Sequence, residues 1–268
     1  LEGLLLLSLT AFLFWGGAFL ILRHDGILAY AILPAAAFLL PSVAWAEIRG
    51  AVEIAFPSRL LSIREAAASA SLLAGASLLA LALAGAISGA PGSSREEEAL
   101  RSLVLGVPGP ARLLLFALLP ALCEELLFRG ALLACLRPWG KWRAVLASAL
   151  AFALFHGSPV RFGPVAVLGA ALALAVWETG NVWIAVAGHS AHNGLILMAL
   201  SWGEGGSPPA AATLALLAAG GASFGLLWLW WRKAPPGSFP SDISGQDRAC
   251  GPGEGGSEAG GPPPAEGL

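Results

Sequence analysis

Residues 113–136, LLLFALLPALCEELLFRGALLACL, form an apolar run of membrane-spanning length that carries Glu124, Glu125 and Arg129 in its middle. Hydrocarbon is a poor solvent for charge, and a centrally placed Asp, Lys or Arg costs ~2.5–3.5 kcal/mol to insert. The charged face of this helix is therefore predicted to look toward protein or enclosed water, not toward lipid.

The rest of the chain fits that setting. Of its 268 residues 57% are hydrophobic and 12% charged, where about a quarter of a soluble domain is charged. About 20 apolar residues cross a bilayer core of about 30 Å. Candidate stretches lie near 4–22, 27–46, 66–90, 113–136, 144–160, 162–178, 182–200 and 210–231. The expected fold is thus all-α and polytopic, with about eight transmembrane helices. Residues 4–22 lack the basic start and small-residue cleavage site of a signal peptide, which predicts a retained first span. Gly157-Ser158-Pro159 and Gly163-Pro164 predict a tight turn or a broken helix around the fifth and sixth stretches.

With the N-terminus inside, Lys and Arg near the span ends number 8 inside against 5 outside, which favours both termini in the cytoplasm. Residues 47–65 read equally as an interfacial helix or a basic loop, and residues 91–112 as a solvated loop. Residues 1–233 are predicted to form one integral membrane domain. Residues 234–268, rich in Gly, Pro and Ser, cannot bury enough apolar area to offset their ordering entropy and predict a disordered tail. A net charge of -2 gives nucleic acid no basis as a partner. The spacing of Cys123, Cys135 and Cys250 suggests neither a disulfide framework nor a metal knuckle.

Apart from cysteine and tyrosine, the ionisable groups inside the apolar stretches are Glu124, Glu125, Arg129, His156, His189 and His192, with Glu178 at a span boundary. Glu125 and Arg129, at i and i+4, meet on one helix face. Glu124 points away and lacks such a partner, which makes it the candidate general base. The alternative is an Arg–Glu pair that stitches helices together, with Glu124 as a protonated hydrogen-bonding acid. His156 ends an apolar run four residues after Phe152, and taken alone it is a capping or packing residue as readily as a catalytic one. His189 and Asn193 present a donor pair on one helix face, as an oxyanion site requires. His192 is read either as a neighbour supporting that pair or as a member of the site.

The zinc-protease pattern HExxH is absent, although a Glu/His/His/Asn set could still bind Zn. Cys123 in an apolar setting stays a thiol and is a poor nucleophile. The Gly188–His192 segment lacks the last glycine of a serine nucleophile elbow. A proton-coupled carrier is the main rival from another class, and a non-catalytic membrane scaffold of the bacteriocin-immunity type is a second.

EELLFR at 124–129, FALFH at 152–156 and HSAHN at 189–193 match, in order, the EExxxR, FxxxH and HxxxN motifs of a known family. The chain resembles the CPBP family of glutamate-dependent intramembrane proteases, which includes the type II CAAX prenyl endopeptidases and bacterial bacteriocin-processing proteins. The resemblance covers about residues 110–200. It implies a CAAX-protease-like helical core and an endopeptidase that needs no metal or other cofactor. It also implies that Glu124 and His156 activate water, that Glu125 and Arg129 support them, and that His189 and Asn193 stabilise the oxyanion. The expected substrate is a membrane-associated protein or peptide, such as one with a C-terminal sorting tail or a lipidated terminus. The Ala/Gly/Leu/Pro-rich composition suggests a bacterial inner membrane.

Overall fold

A computed structural model describes residues 1–21, 33, 35–55, 60–88 and 101–201, together with Ala218 and Ala222. Every regular element among them is helical. Helix α1 spans Glu2–Ile21, and a π-helical turn, Ala35–Leu39, leads into α2, Leu40–Ile48. The four-residue α3 (Val52–Ala55) and the long α4 (Ile63–Ser88) follow.

Residues 109–139 are one continuous helical rod. It consists of α5 (Gly109–Leu113), a π-helical turn (Leu114–Leu118), α6 (Leu119–Glu125), a second π-helical segment (Leu126–Leu132), α7 (Leu133–Leu136) and a 3-10 turn (Arg137–Trp139). Then come α8 (Lys141–Phe155), α9 (Pro159–Thr179) and α10 (Val182–Ser201).

The turn between α8 and α9 is set locally. His156 ends α8, and Gly157 takes φ 62°, a backbone conformation that only glycine enters without cost. Ser158 then caps α9 by accepting the Arg161 N–H, and Pro159 supplies a first helical residue with φ already fixed. α9 therefore returns antiparallel along α8 and packs against α4 and α10 as well. Gly163-Pro164 does not break it. Pro164 lies inside the helix, where its φ is compatible and one ladder bond is given up.

The buried faces of α8 and α9 combine small residues, Ala144, Ala149, Ala153, Ala171, Ala173 and Ala175, with Phe152 and Leu172. Small side chains let helix backbones approach closely, which gains dispersion contacts where no hydrophobic force separates helices from solvent. On the outer face of α8, Leu146, Leu150 and Leu154 are exposed at i, i+4 and i+8, while Ser148 is buried and donates to the Phe128 carbonyl at 3.0 Å. Leucine outside and polar groups inside is the arrangement that a hydrocarbon surround selects.

Two helices, Ile63–Ile87 and Pro159–Thr179, are long and apolar enough to cross a bilayer by length and composition. The described residues thus establish two of the eight expected spans by that measure. α8, with 15 residues, reaches only ~22 Å at 1.5 Å per residue. The eighth candidate stretch, apart from Ala218 and Ala222, and the tail lie outside the described residues. The described parts of both expected loops contain helix, while 56–59 and 91–100 lie outside the described residues. The described part of 47–65 holds the end of α2, a turn at Arg49-Gly50, α3 and the start of α4, not one interfacial helix. Residues 101–105 and 109–113 are helical, and Arg112 ties the two pieces by donating to the Leu105 and Val107 carbonyls.

α9 ends at Gly180, which takes left-handed angles (φ 61°, ψ 23°) while its N–H bonds the Val176 carbonyl. Gly180→Ala should cost ~1–2 kcal/mol, read as a lower unfolding midpoint in detergent micelles. An unchanged midpoint would contradict this reading of the turn.

Candidate active site

The rod brings Glu124 and Glu125 to the end of α6 and Arg129 into the π-helical segment that follows. π-helical turns inside helices are frequent at functional sites. Arg129 Nη1 donates to Glu125 Oε1 at 2.9 Å, and both side chains are fully enclosed. This is the i, i+4 pair expected from sequence. Arg129 Nη2 donates to the Gly169 carbonyl of α9 at 3.0 Å, and the guanidinium lies 4.2 Å from the Phe152 ring centroid. Pairing and these contacts offset part of the cost of removing the charge from solvent, while Arg129 Nε and Glu125 Oε2 are left without partners.

Glu125 Oε1 has a second donor. His189 Nδ1 lies 2.8 Å away, and since a carboxylate only accepts, the ring nitrogen carries the proton. His189 is positioned by the start of α10, where Asn181 Oδ1 accepts the Trp183 N–H at 2.8 Å. Its other nitrogen, Nε2, faces Glu124 Oε2 at 4.0 Å, beyond hydrogen-bond reach. The Glu124 side chain is 18% exposed against 0% for Glu125, and Glu124 Oε2 has no hydrogen-bond partner. Adjacent carboxylates thus occupy different environments. Glu125 is enclosed and held through Oε1, with its Oε2 unpartnered, while Glu124 is partly exposed and held by neither Arg129 nor His189.

His156 lies at the C-terminus of α8, where its Nδ1 donates to the Phe152 carbonyl at 2.9 Å. A neutral ring with that proton on Nδ1 leaves Nε2 as the open lone pair. The Phe152 ring sits 4.8 Å from His156 and 5.6 Å from His189, centroid to centroid, both nearly edge-on. Phe152 therefore touches Arg129 and two histidines at once. Asn193, one turn beyond His189, is half-buried and makes no hydrogen bond among the described residues. His192 is buried, with Nδ1 unpartnered. The described residues bring no three of His, Cys, Asp and Glu together as a group that could hold a metal ion, so the zinc alternative finds no donor set among them.

Two features escaped the sequence. The Gly169 carbonyl is an acceptor for Arg129, and any residue type has a carbonyl, so no pattern marks it. The His189–Glu125 bond spans 64 residues and cannot be read from spacing within one helix.

With this geometry in place the comparison with known families is informative. The family model for type II CAAX prenyl endopeptidase Rce1-like proteins matches residues 107–195. This stretch is an Rce1-like domain. The Rce1-like domain contains every member of the cluster, from Glu124 to Asn193, whereas α1 to α4 lie outside it. No curated protein and no solved structure matches the chain.

Removing one partner from the enclosed pair should be costly. Arg129→Met is expected to destabilise the Rce1-like domain by about 3–5 kcal/mol, measured by unfolding in mixed micelles. The double variant Glu125→Gln/Arg129→Met should cost less than Arg129→Met alone, because no unpaired charge stays behind. A double variant at least as unstable as the sum of the two singles would contradict the pairing.

Proposed function

We propose that this chain is an intramembrane endopeptidase that hydrolyses a peptide bond near the membrane-associated end of its substrate, with Glu124 as the base that activates water. The observation that carries the reading is the unequal treatment of the two carboxylates. Glu125 is fully enclosed and its Oε1 accepts from both Arg129 and His189, whereas Glu124, 18% exposed, accepts from neither, although Oε2 of each carboxylate is without a partner.

In this scheme a water held between Glu124 and the open Nε2 of His156 loses a proton to Glu124 as its oxygen bonds to the scissile carbonyl carbon. The carbonyl π electrons move onto its oxygen. Asn193 and the Nε2–H of a doubly protonated His189 donate to that oxyanion, and Glu125 offsets the charge on the ring. Collapse of the intermediate breaks the C–N bond, and the proton held by Glu124 goes to the leaving amine. His192, at i+3 from His189 on α10, supports that ring, and Phe152, nearly edge-on to His156 and His189, fixes the planes of those two. The step uses the chain's own side chains and water, with no cofactor.

The same reading extends to topology and substrate. The remaining apolar stretches complete a polytopic domain of about eight spans over residues 1–233, with 234–268 as a solvated tail, in a bacterial inner membrane. A substrate anchored by an apolar sorting tail or a lipidated terminus reaches a base buried among helices by lateral entry, which a soluble peptide cannot do.

Purified protein in proteoliposomes should cleave a peptide that carries an apolar or lipidated C-terminal anchor. Glu124→Ala should abolish cleavage while helix content and membrane insertion stay as in the parent. Near-parental proteolysis by Glu124→Ala would sink the assignment, as would proton flux without cleavage by the parent.

A further inference from the structure

We infer that Gly169, in the middle of α9, is a positioning residue whose missing side chain holds Arg129 on Glu125 and so sets the geometry of His189. Its carbonyl accepts from Arg129 Nη2 at 3.0 Å. A Cβ at this position would stand 3.1 Å from Phe152 Cδ1, 3.2 Å from Arg129 Nη2 and 3.4 Å from Ala149 Cα.

None of these neighbours can yield without consequence. Ala149 Cα is backbone of α8. Phe152 is buried and wedged against Phe128, with ring centroids 5.2 Å apart, as well as against both histidines. Arg129 Nη2 is the atom that bonds Gly169 itself. The guanidinium is thus clamped between the Phe152 face and bare α9 backbone. A side chain at 169 would rotate it, and the rotation would weaken the Nη1 donor to Glu125 Oε1. That oxygen also receives His189 Nδ1 at 2.8 Å, so the disturbance passes to the ring whose Nε2 faces Glu124. Helix α9 therefore contributes to the site by leaving a gap.

The kinetic part of this inference rests on the hydrolase reading, and the structural part does not. Gly163 is the matched control. It lies in the same helix, and a Cβ there would meet nothing within 4 Å. The full-length protein, labelled with 15N-histidine in micelles, reports the His189 Nδ1–H resonance, which is identified by its loss in His189→Gln. Gly169→Val should move that resonance and lower kcat about 100-fold, the scale of a 1 Å misplacement, with KM within about threefold of the parent. Gly169→Ala should do the same to a smaller degree while keeping the parent's unfolding midpoint. Gly163→Ala should change neither the resonance nor kcat.

An unmoved resonance and parental kcat in Gly169→Val would overturn the inference. So would a raised KM with resonance and kcat unchanged, which marks a substrate path instead. If Gly169→Val does not fold, Gly169→Ala decides, and parental values there overturn the proposal. If the parent cleaves no peptide but the resonance still moves in the Gly169 variants, the positioning role stands and the hydrolase reading falls.

Discussion

One oxygen atom organises this fold. Glu125 Oε1 accepts from Arg129 within its own rod and from His189 on α10. Arg129 in turn reaches the backbone of α9 and the Phe152 ring of α8. Four helical elements thus meet at one enclosed carboxylate. Desolvation offsets much of the Coulomb gain of such a buried pair, so its worth to net stability is small. Its geometric demand is large: the rod, α8, α9 and α10 must hold one register for the donors to converge. A slip of one residue in α10 would rotate His189 off Glu125, with nothing in the apolar surroundings to replace it.

The same convergence divides the labour between neighbouring acids. Because α-helical side chains one residue apart point in different directions, Glu125 can be enclosed and take two donors on Oε1 while Glu124, next to it, stays partly exposed and takes neither. The environment, not the residue type, is what differs between the two carboxylates. Phe38, Phe128, Phe152 and Phe155 pack edge to face or tilted, with centroids 5.2 to 6.3 Å apart, and through Phe152 they reach Arg129, His156 and His189. An apolar wall of this kind keeps the local dielectric low, which strengthens every charge interaction inside it.

Much of the site was legible in the sequence because its grammar is local. EExxxR at 124–129 encodes an i, i+4 pair, and an ionisable residue in an apolar run announces itself through its insertion cost. The all-helical class followed from the apolar stretches, and the α8–α9 turn from Gly157-Ser158-Pro159. What stayed hidden is nonlocal or carried by backbone. Phe152 was read as a neighbour of His156, yet its main role is to join Arg129, His156 and His189. The break expected at Gly163-Pro164 did not form, because a proline near a helix start is cheaply accommodated when packing on α8 continues the helix. The π-helical segment that carries Arg129 had no sequence signature at all.

The most direct test of the central claim compares two single-atom-scale exchanges on the same footing. Cleavage rate and unfolding midpoint are measured for Glu124→Gln and Glu125→Gln in identical proteoliposome and micelle preparations. The account predicts that Glu124→Gln eliminates cleavage at an unchanged midpoint, whereas Glu125→Gln lowers the midpoint because Arg129 loses its counter-charge. The reverse pattern, with stability lost at Glu124 and cleavage surviving there, would contradict the assignment of roles to the two carboxylates.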